Sequence, residues 1–215
     1  MDDMDDIFGR LLAEPGVTEA VELRPGLGTR VGVMAFHGGS LEVGTDLIAT
    51  AAADRAGASA YTVTQPDDLS WHVPSKLVDP AQSLPLAGFL QHVDSVVTVH
   101  GYGRPDRYTT VLLGGRNRGL AAHVADHLRE ALPDYRVEDD LEAIPVELRG
   151  LHPDNPVNRP RHAGVQVELP PRVRGQGPFW ADRPPDEPIP HTDQLIAGLS
   201  AALADWPEPT PRVAP

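Results

Sequence analysis

The stretch that most constrains the fold is an apolar run at residues 31–36, followed at once by His37, two glycines and, at position 42, a glutamate. Continuous apolar runs of this length are typical of strands that are buried on both faces in α/β proteins. Glycines directly after such a strand allow a tight turn, and reactive side chains often lie at this end of a parallel sheet. We therefore predict a central strand, a glycine-rich turn, and a helix over residues 41–55 that is ended by Gly57.

Predicted strands and helices alternate along the rest of the chain. The patterns of apolar residues predict a short helix near 7–13, an edge strand at 17–23, further strands at 59–64, 95–99, 109–113 and 163–169, and helices at 84–93, 120–132 and 191–206. This alternation predicts a single α/β domain over residues 1–215, with a mainly parallel or mixed sheet flanked by helices. We expect its core at about residues 16–175, followed by a Pro-rich loop and the C-terminal helix at 176–215.

The charge balance and the lack of cysteine restrict partners and chemistry. The formal net charge is -13, whereas surfaces that bind nucleic acid or anionic membranes usually carry excess lysine and arginine. Because the chain has no cysteine, disulfides, thiolate metal ligands and a cysteine nucleophile are excluded. We expect no nucleic-acid partner, and any metal must be bound by histidine and carboxylate side chains.

The chain shows no targeting or membrane segment. Its first residues, Met-Asp-Asp-Met-Asp-Asp, lack both the basic and the apolar part of a secretion signal. No stretch reaches the roughly 18 consecutive apolar residues that a membrane helix needs. We expect a soluble, cytoplasmic protein that has no membrane partner and acts as a monomer.

The predicted strand at residues 95–99 ends as the first one does, in a histidine and a glycine, His100 and Gly101. Adjacent parallel strands place their carboxyl ends on one edge of the sheet, so His37 and His100 would converge there. Glu42 would reach them from the first turn of the following helix. Two histidines and a carboxylate with an open fourth position form the ligand set of a catalytic zinc site. A lone histidine at a strand end is more often a hydrogen-bonded turn residue, so the prediction depends on all three side chains.

Hydrolysis at such a site also needs a base that is not a metal ligand, and Glu168 is the candidate. In the predicted strand at residues 163–169, apolar residues alternate with Gln166 and Glu168, so these two side chains face the same side. In a buried strand, an unpaired carboxylate would be costly without a functional partner. On an edge strand, Glu168 would instead be an ordinary exposed carboxylate.

The order and spacing of these motifs resemble the poly-gamma-glutamate hydrolase family. The matching pieces lie within residues 31–174 and are His37-Gly38-Gly39-x-x-Glu42-x-Gly44-Thr45, Val99-His100-Gly101, Gly114-Gly115, Asn158-Arg159 and Gly164-Val165-Gln166-Val167-Glu168-Leu169. The resemblance implies a three-layer α/β fold like that of zinc carboxypeptidases, acting on γ-glutamyl amide bonds. It also implies that His37, Glu42 and His100 hold a zinc ion and that Glu168 serves as the general acid/base.

Arginines are candidates for substrate binding, because a guanidinium group can pair with a carboxylate or stabilise an oxyanion. Arg116 and Arg159 lie on motif-bearing loops, and Asn158 could add a hydrogen bond. For any single arginine, solvation at the surface is the commoner role. The expected substrate is a glutamyl polymer or a small amide.

Two alternative functions stay open at this point. The same metal centre could act on a small acylated amino acid or a cell-wall peptide, or the chain could be a metal-binding module without turnover.

Other histidines carry weaker signals. His123 and His127 are four residues apart on a predicted helix but lack a His-Glu-x-x-His pattern, so we expect a solvated helix flank. His72 is expected in a packed loop.

Overall fold

One mixed sheet organises the protein. The structure, a computed structural model, describes residues 6–24, 30–176 and 190–207. Within these ranges seven strands form a single sheet with the order β1-β3-β2-β4-β7-β5-β6. The strands are β1 (Thr18–Glu22), β2 (Val31–Gly39), β3 (Ser59–Gln65), β4 (Ser95–Gly101), β5 (Thr110–Leu113), β6 (Arg136–Glu138) and β7 (Gly164–Leu169). The single-domain α/β fold with a mixed sheet is thereby confirmed; its exact limits within residues 1–215 stay a prediction.

Helices cover both faces of this sheet and make three layers. The described α-helices are α1 (Ile7–Leu12), α2 (Thr45–Ala56), α3 (Leu84–His92), α4 (Arg118–Ala131) and α5 (Pro190–Asp205). The apolar faces of α2, α4 and α5 share one buried cluster with one face of the sheet, and α1 and α3 pack on the other face. Since α5 is part of the main core, the core extends beyond the predicted limit near residue 175. None of the described helices is both long and apolar enough to cross a bilayer.

Strand β2 is buried along nearly all of its length, which explains its continuous apolar sequence. It lies between β3 and β4 and is parallel to both. Its odd-numbered residues Val31 and Val33 pack in the cluster with α2, while Met34 and Phe36 pack in the cluster with α3. Gly32 lies directly against Phe89 of α3, where an added Cβ would come within 2.6 Å of the ring. The sheet therefore holds the end of β2 in a fixed position.

The helix after β2 begins later than predicted. The prediction placed its start at residue 41, but α2 begins at Thr45, after a turn in which Gly44 has a φ of 86°. Glu42 is therefore in the turn that precedes the helix and not in its first turn. The C-terminal prediction is confirmed, because Gly57 adopts the left-handed conformation that ends α2, with a φ of 68°.

Strand β5 runs in the direction opposite to its neighbour β7, whereas β2, β4 and β7 are mutually parallel. Leu113 pairs with Val167, and the chain then continues alongside β7 towards Gly164. The Gly114-Gly115 turn consequently lies at the edge of the sheet where β7 begins. The Pro25-Gly26 turn and most of the Pro-rich segment, residues 177–189, lie outside the described residues.

Candidate metal centre

His37 and Glu42 are brought together by the turn at the end of β2. Gly39 has a φ of 73° and runs so close to β3 that an added Cβ would lie 2.0 Å from the Gln65 carbonyl oxygen. The Glu42 backbone N–H donates to the His37 carbonyl at 2.9 Å, which closes the turn. As a result, His37 Nδ1 lies 2.8 Å from Glu42 Oε1.

His100 reaches the same carboxylate from the parallel strand β4. Its Nδ1 lies 3.2 Å from Glu42 Oε2, and the next backbone N–H, of Gly101, donates to the same oxygen at 2.9 Å. One potential ligand atom from each of His37, Glu42 and His100 lies within 4.8 Å of the other two. The structure thus brings together the three side chains whose convergence was predicted, and this cluster could hold a metal ion.

The hydrogen bonds of His37 fit a cation between its ring and the Glu42 carboxylate. His37 Nε2 lies 2.8 Å from the Val73 carbonyl oxygen, which can only accept, so Nε2 carries the hydrogen and Nδ1 of the neutral ring is a lone pair. A lone pair that faces a carboxylate oxygen needs a proton or a cation between the two atoms. Histidine ligands of metals characteristically donate their second nitrogen to a carbonyl or carboxylate in this way. Two imidazole nitrogens and a carboxylate suit zinc.

Burial and neighbouring charges set the ionisation of the cluster. Burial opposes the ionised form of Glu42, but His37 and His100 outweigh it and hold the pKa of this carboxylate below its usual value. Burial would lower the pKa of His100, yet the charge and hydrogen bond of Glu42 raise it overall. Glu42 is therefore a carboxylate that stays ionised in the interior, as a metal ligand must be.

Glu168 lies beside the cluster on the neighbouring strand. It is paired in register with His100 in the parallel ladder of β4 and β7, and it is only 4% exposed. Because β7 lies inside the sheet between β4 and β5, the edge-strand alternative is wrong. The Gln166 side-chain amide donates to Glu168 Oε1 at 2.8 Å. Burial, reinforced by the charge of Glu42, raises the pKa of Glu168 to about 7 although His100 opposes the shift.

The two histidines, Glu42 and Glu168 open into one cleft of about 580 Å³. Its walls come from the segment after β3, which includes His72 and Lys76, and from the loop before β7, which includes Gly150 and His152. Asn155 donates to Gln166, which in turn donates to Glu168, so this loop also orients the buried carboxylate. The arrangement presents a cation site and a poised carboxylate side by side in an accessible cleft.

The family profile of poly-gamma-glutamate hydrolases matches residues 11–179, more than half of the 215-residue chain. The chain belongs to the poly-gamma-glutamate hydrolase family. The family predicted from the motifs is thereby confirmed, and membership in a hydrolase family supports an enzymatic role. No curated protein sequence matches the chain.

Solved structures agree with the fold of this hydrolase family. A bacteriophage poly-gamma-glutamate hydrolase is similar with a TM-score of 0.71 and 22% identity, over 91% of this chain and 92% of that one. A zinc-free apo form of YndL is similar with a TM-score of 0.72 and 20% identity, over 91% and 94%. An N-formylglutamate amidohydrolase from Ralstonia eutropha JMP134 has a TM-score of 0.55 and 14% identity, over 86% and 95%.

The three residues nominated for substrate binding do not line the cleft. Arg116 is exposed, and its backbone N–H donates to Asn158 Oδ1 at 3.1 Å near the start of β7, roughly 13 Å along the strand from Glu168. Arg159 pairs with Asp154 at the surface. Asn158 donates to the Gly150 carbonyl at 2.7 Å and so supports a loop that lines the cleft. Substrate binding by these three residues stays a prediction, and their positions outside the cleft do not support it.

Two further residues lie near the cluster: His72, which was expected in a packed loop but is exposed, and Arg174, which was not predicted there. His72 lines the cleft with its ring centroid 4.9 Å from that of His37, and burial followed by the charge of His37 lowers its pKa. Arg174 is 5% exposed and close enough to Glu42 and Glu168 for their charges to act on it. Neither residue lies in a recognisable local pattern; only the pairing of distant segments brings them here.

Proposed function

We propose that this chain is a zinc-dependent amidohydrolase that cleaves the γ-glutamyl amide bonds of poly-γ-glutamate. The observation that carries the proposal is the convergence of His37, Glu42 and His100 beside the buried Glu168 in one cleft. Membership in the poly-gamma-glutamate hydrolase family supports the choice of reaction and polymer.

In this proposal the metal is held by Nδ1 of His37, the Glu42 carboxylate and Nδ1 of His100. A zinc ion at such a site supplies Lewis acidity, which acidifies water and polarises an amide carbonyl. The protein holds the His37 ring and the Glu42 carboxylate in place, because His37 Nε2 is tied to the Val73 carbonyl and the Gly101 N–H donates to Glu42. The Phe36 ring also packs edge-on against both imidazoles.

Glu168 acts as the general acid/base. Its carboxylate accepts a proton from the attacking water and delivers that proton to the nitrogen of the departing amine. Without a metal ion the pKa of this carboxyl is about 7, so burial has brought it into the range in which a group can both accept and release a proton near neutral pH. The hydrogen bond from Gln166 keeps the second carboxylate oxygen available for this transfer.

One cationic side chain in the cleft supports an acidic substrate. Lys76, the one lysine in the sequence, lines the cleft and has no ion-pair partner within the part of the chain that the structure describes. His72 and His152 line the same cleft. The overall charge of -13 repels a polyanion, so a cation that is free to bind a carboxylate matters most here.

The test compares amide substrates on the zinc-loaded protein. We expect shortening of γ-linked polyglutamate, no cleavage of α-linked polyglutamate, and loss of turnover in Glu168→Gln. Glu138→Gln is the matched control, since Glu138 lies on β6 at the far edge of the sheet. If N-acylated glutamate or a cell-wall peptide is cleaved and neither polyglutamate is, the result favours the small-substrate alternative. Inertness towards all of them would leave only the non-catalytic module.

A further inference from the structure

Arg174 is a buried cation outside the proposed ligand set that connects two parts of the metal centre. It follows β7 in a short 3-10 turn, Arg172–Arg174, and is 5% exposed. Its Nη1 donates to the Val43 carbonyl oxygen at 2.9 Å, and its Nη2 donates to the Tyr102 carbonyl oxygen at 3.3 Å. Val43 directly follows Glu42, and Tyr102 is two residues after His100. One side chain therefore ties together the segments that carry two of the three proposed ligands.

The guanidinium group also lies flat against the backbone between them. A Cβ added to Gly101 would come within 2.7 Å of Arg174 Cζ and 2.8 Å of Nη1. This close approach gives Gly101 a specific reason to be glycine, since any larger residue would push the arginine away. Gly101 in turn donates its N–H to Glu42 at 2.9 Å, so Gly101 links Arg174 to the Glu42 carboxylate.

Burying this cation is unfavourable unless its surroundings compensate. Burial lowers the pKa of Arg174 to about 10, while Glu42 and Glu168 act in the opposite direction. The Nε atom has no hydrogen-bond partner among the described residues, although it is buried. A buried charge that is only partly compensated costs stability.

We propose that Arg174 is a positioning residue that fixes the distance between Glu42 and His100 and so sets the affinity of the site for its metal. The inference rests on the metal site of the proposed function. Loss of the Arg174 charge and loss of its two hydrogen bonds would change zinc affinity in opposite directions. Removing a nearby positive charge would by itself strengthen the binding of a divalent cation, whereas loss of the two carbonyl contacts would let the ligand segments separate and weaken it.

The first test measures zinc affinity by competition with a chromogenic chelator for wild type, Arg174→Met and Arg174→Lys. Arg118 supplies the matched control, because it also donates to carbonyl oxygens, those of Leu113 and Gly114, but away from the cluster. We expect both Arg174 variants to bind zinc roughly 10- to 100-fold more weakly, as losses of outer hydrogen bonds around metals do. Arg118→Met should lower the melting temperature of the metal-free protein without changing zinc affinity.

Unchanged or tighter zinc binding in Arg174→Met would overturn the inference, and a wild type that binds no zinc would instead overturn the proposed function. A second test remains informative if Arg174→Met folds poorly. Gly101→Ala should weaken zinc binding when Arg174 is present, and it should add little in the Arg174→Ala background, where space for the new methyl group exists. Equal effects of Gly101→Ala in both backgrounds would show that the two residues act independently and would contradict the inference.

Discussion

The pair His37 and His100 and the pair His123 and His127 lie almost equally close together, yet only the first belongs to a candidate metal centre. The ring centroids of His37 and His100 are 5.0 Å apart, and those of His123 and His127 on α4 are 4.7 Å apart. The first pair comes from two parallel strands and the second from adjacent turns of one helix. Proximity of imidazoles is therefore not what distinguishes the site.

The difference lies in where the ring nitrogens point. His37 and His100 both direct Nδ1 to one buried carboxylate, Glu42. His123 instead places its Nε2 3.0 Å from the Ala202 carbonyl of α5, and His127 lies 3.7 Å from the exposed Asp205. The helix pair fastens α4 to α5, whereas the strand pair shares one carboxylate. A shared carboxylate is what makes the strand pair a candidate ligand set.

The largest expected effect tests this contrast directly. His37→Ala removes one nitrogen ligand and should weaken zinc binding beyond the roughly 10- to 100-fold loss that changes around a ligand cause. His123→Ala should leave zinc affinity unchanged and lower stability by about 1 kcal/mol, the net value of a typical hydrogen bond. Isothermal titration with zinc and urea unfolding of both variants provide the check. Equal zinc affinity in wild type and His37→Ala would exclude the site.

The next effect separates chemistry from metal binding. Glu168→Gln should keep its zinc but reduce kcat by about 100- to 10,000-fold, because it removes the group that transfers the proton. Metal content by atomic absorption and single-turnover rates on γ-linked polyglutamate measure the two properties separately. If zinc is lost together with activity, Glu168 supports the ligand set and the proposed division of roles is wrong.

A third effect concerns stability without metal. The Glu168 carboxyl titrates near pH 7 in the folded protein but near its ordinary value of 4.5 when unfolded. Between these values the folded state binds more protons, so this group makes stability fall as pH rises. Glu168→Gln removes the effect and should stabilise the chelator-treated protein by up to about 3 kcal/mol at pH 8.

The gain should disappear near pH 4, where the folded wild type is already protonated at this position. Urea unfolding at the two pH values, with Glu138→Gln as the reference, measures the difference between variant and wild type. A gain of the same size at both pH values would mean that packing, rather than ionisation of Glu168, separates the two proteins.

The strands that form the site could be predicted because their signals are local. A strand buried on both faces is mostly apolar, and the chain after it must turn, so residues 31–39 and 95–101 show both features in the sequence. The prediction also took β2 and β4 to be adjacent and parallel, as they are in the structure. The convergence of His37, Glu42 and His100 follows from these two facts.

The prediction for Arg116 depended on a property that has no local signal, the direction of β5. Had β5 been parallel to β7, the Gly114-Gly115 turn and Arg116 would lie beside Glu168; because β5 is antiparallel, they lie at the other end of β7. Arg174 was missed for a related reason. Its contacts with Val43 and Tyr102 join segments that are far apart in the sequence, and no spacing rule connects them.

The smallest expected effect compares two cations. Lys76 lies inside the cleft, and Arg116 lies near the start of β7, at the opposite end of that strand from Glu168. Lys76→Met removes the cleft lysine and should raise KM for γ-linked polyglutamate up to about fivefold, since an exposed ion pair contributes up to roughly 1 kcal/mol. Arg116→Met should leave KM unchanged, because Arg116 does not line the cleft. The effect of Lys76→Met should also shrink as salt is added, because ions screen exposed charges. If instead Arg116→Met raises KM and Lys76→Met does not, the polymer extends over the edge where β7 begins, and the original nomination of Arg116 regains its support.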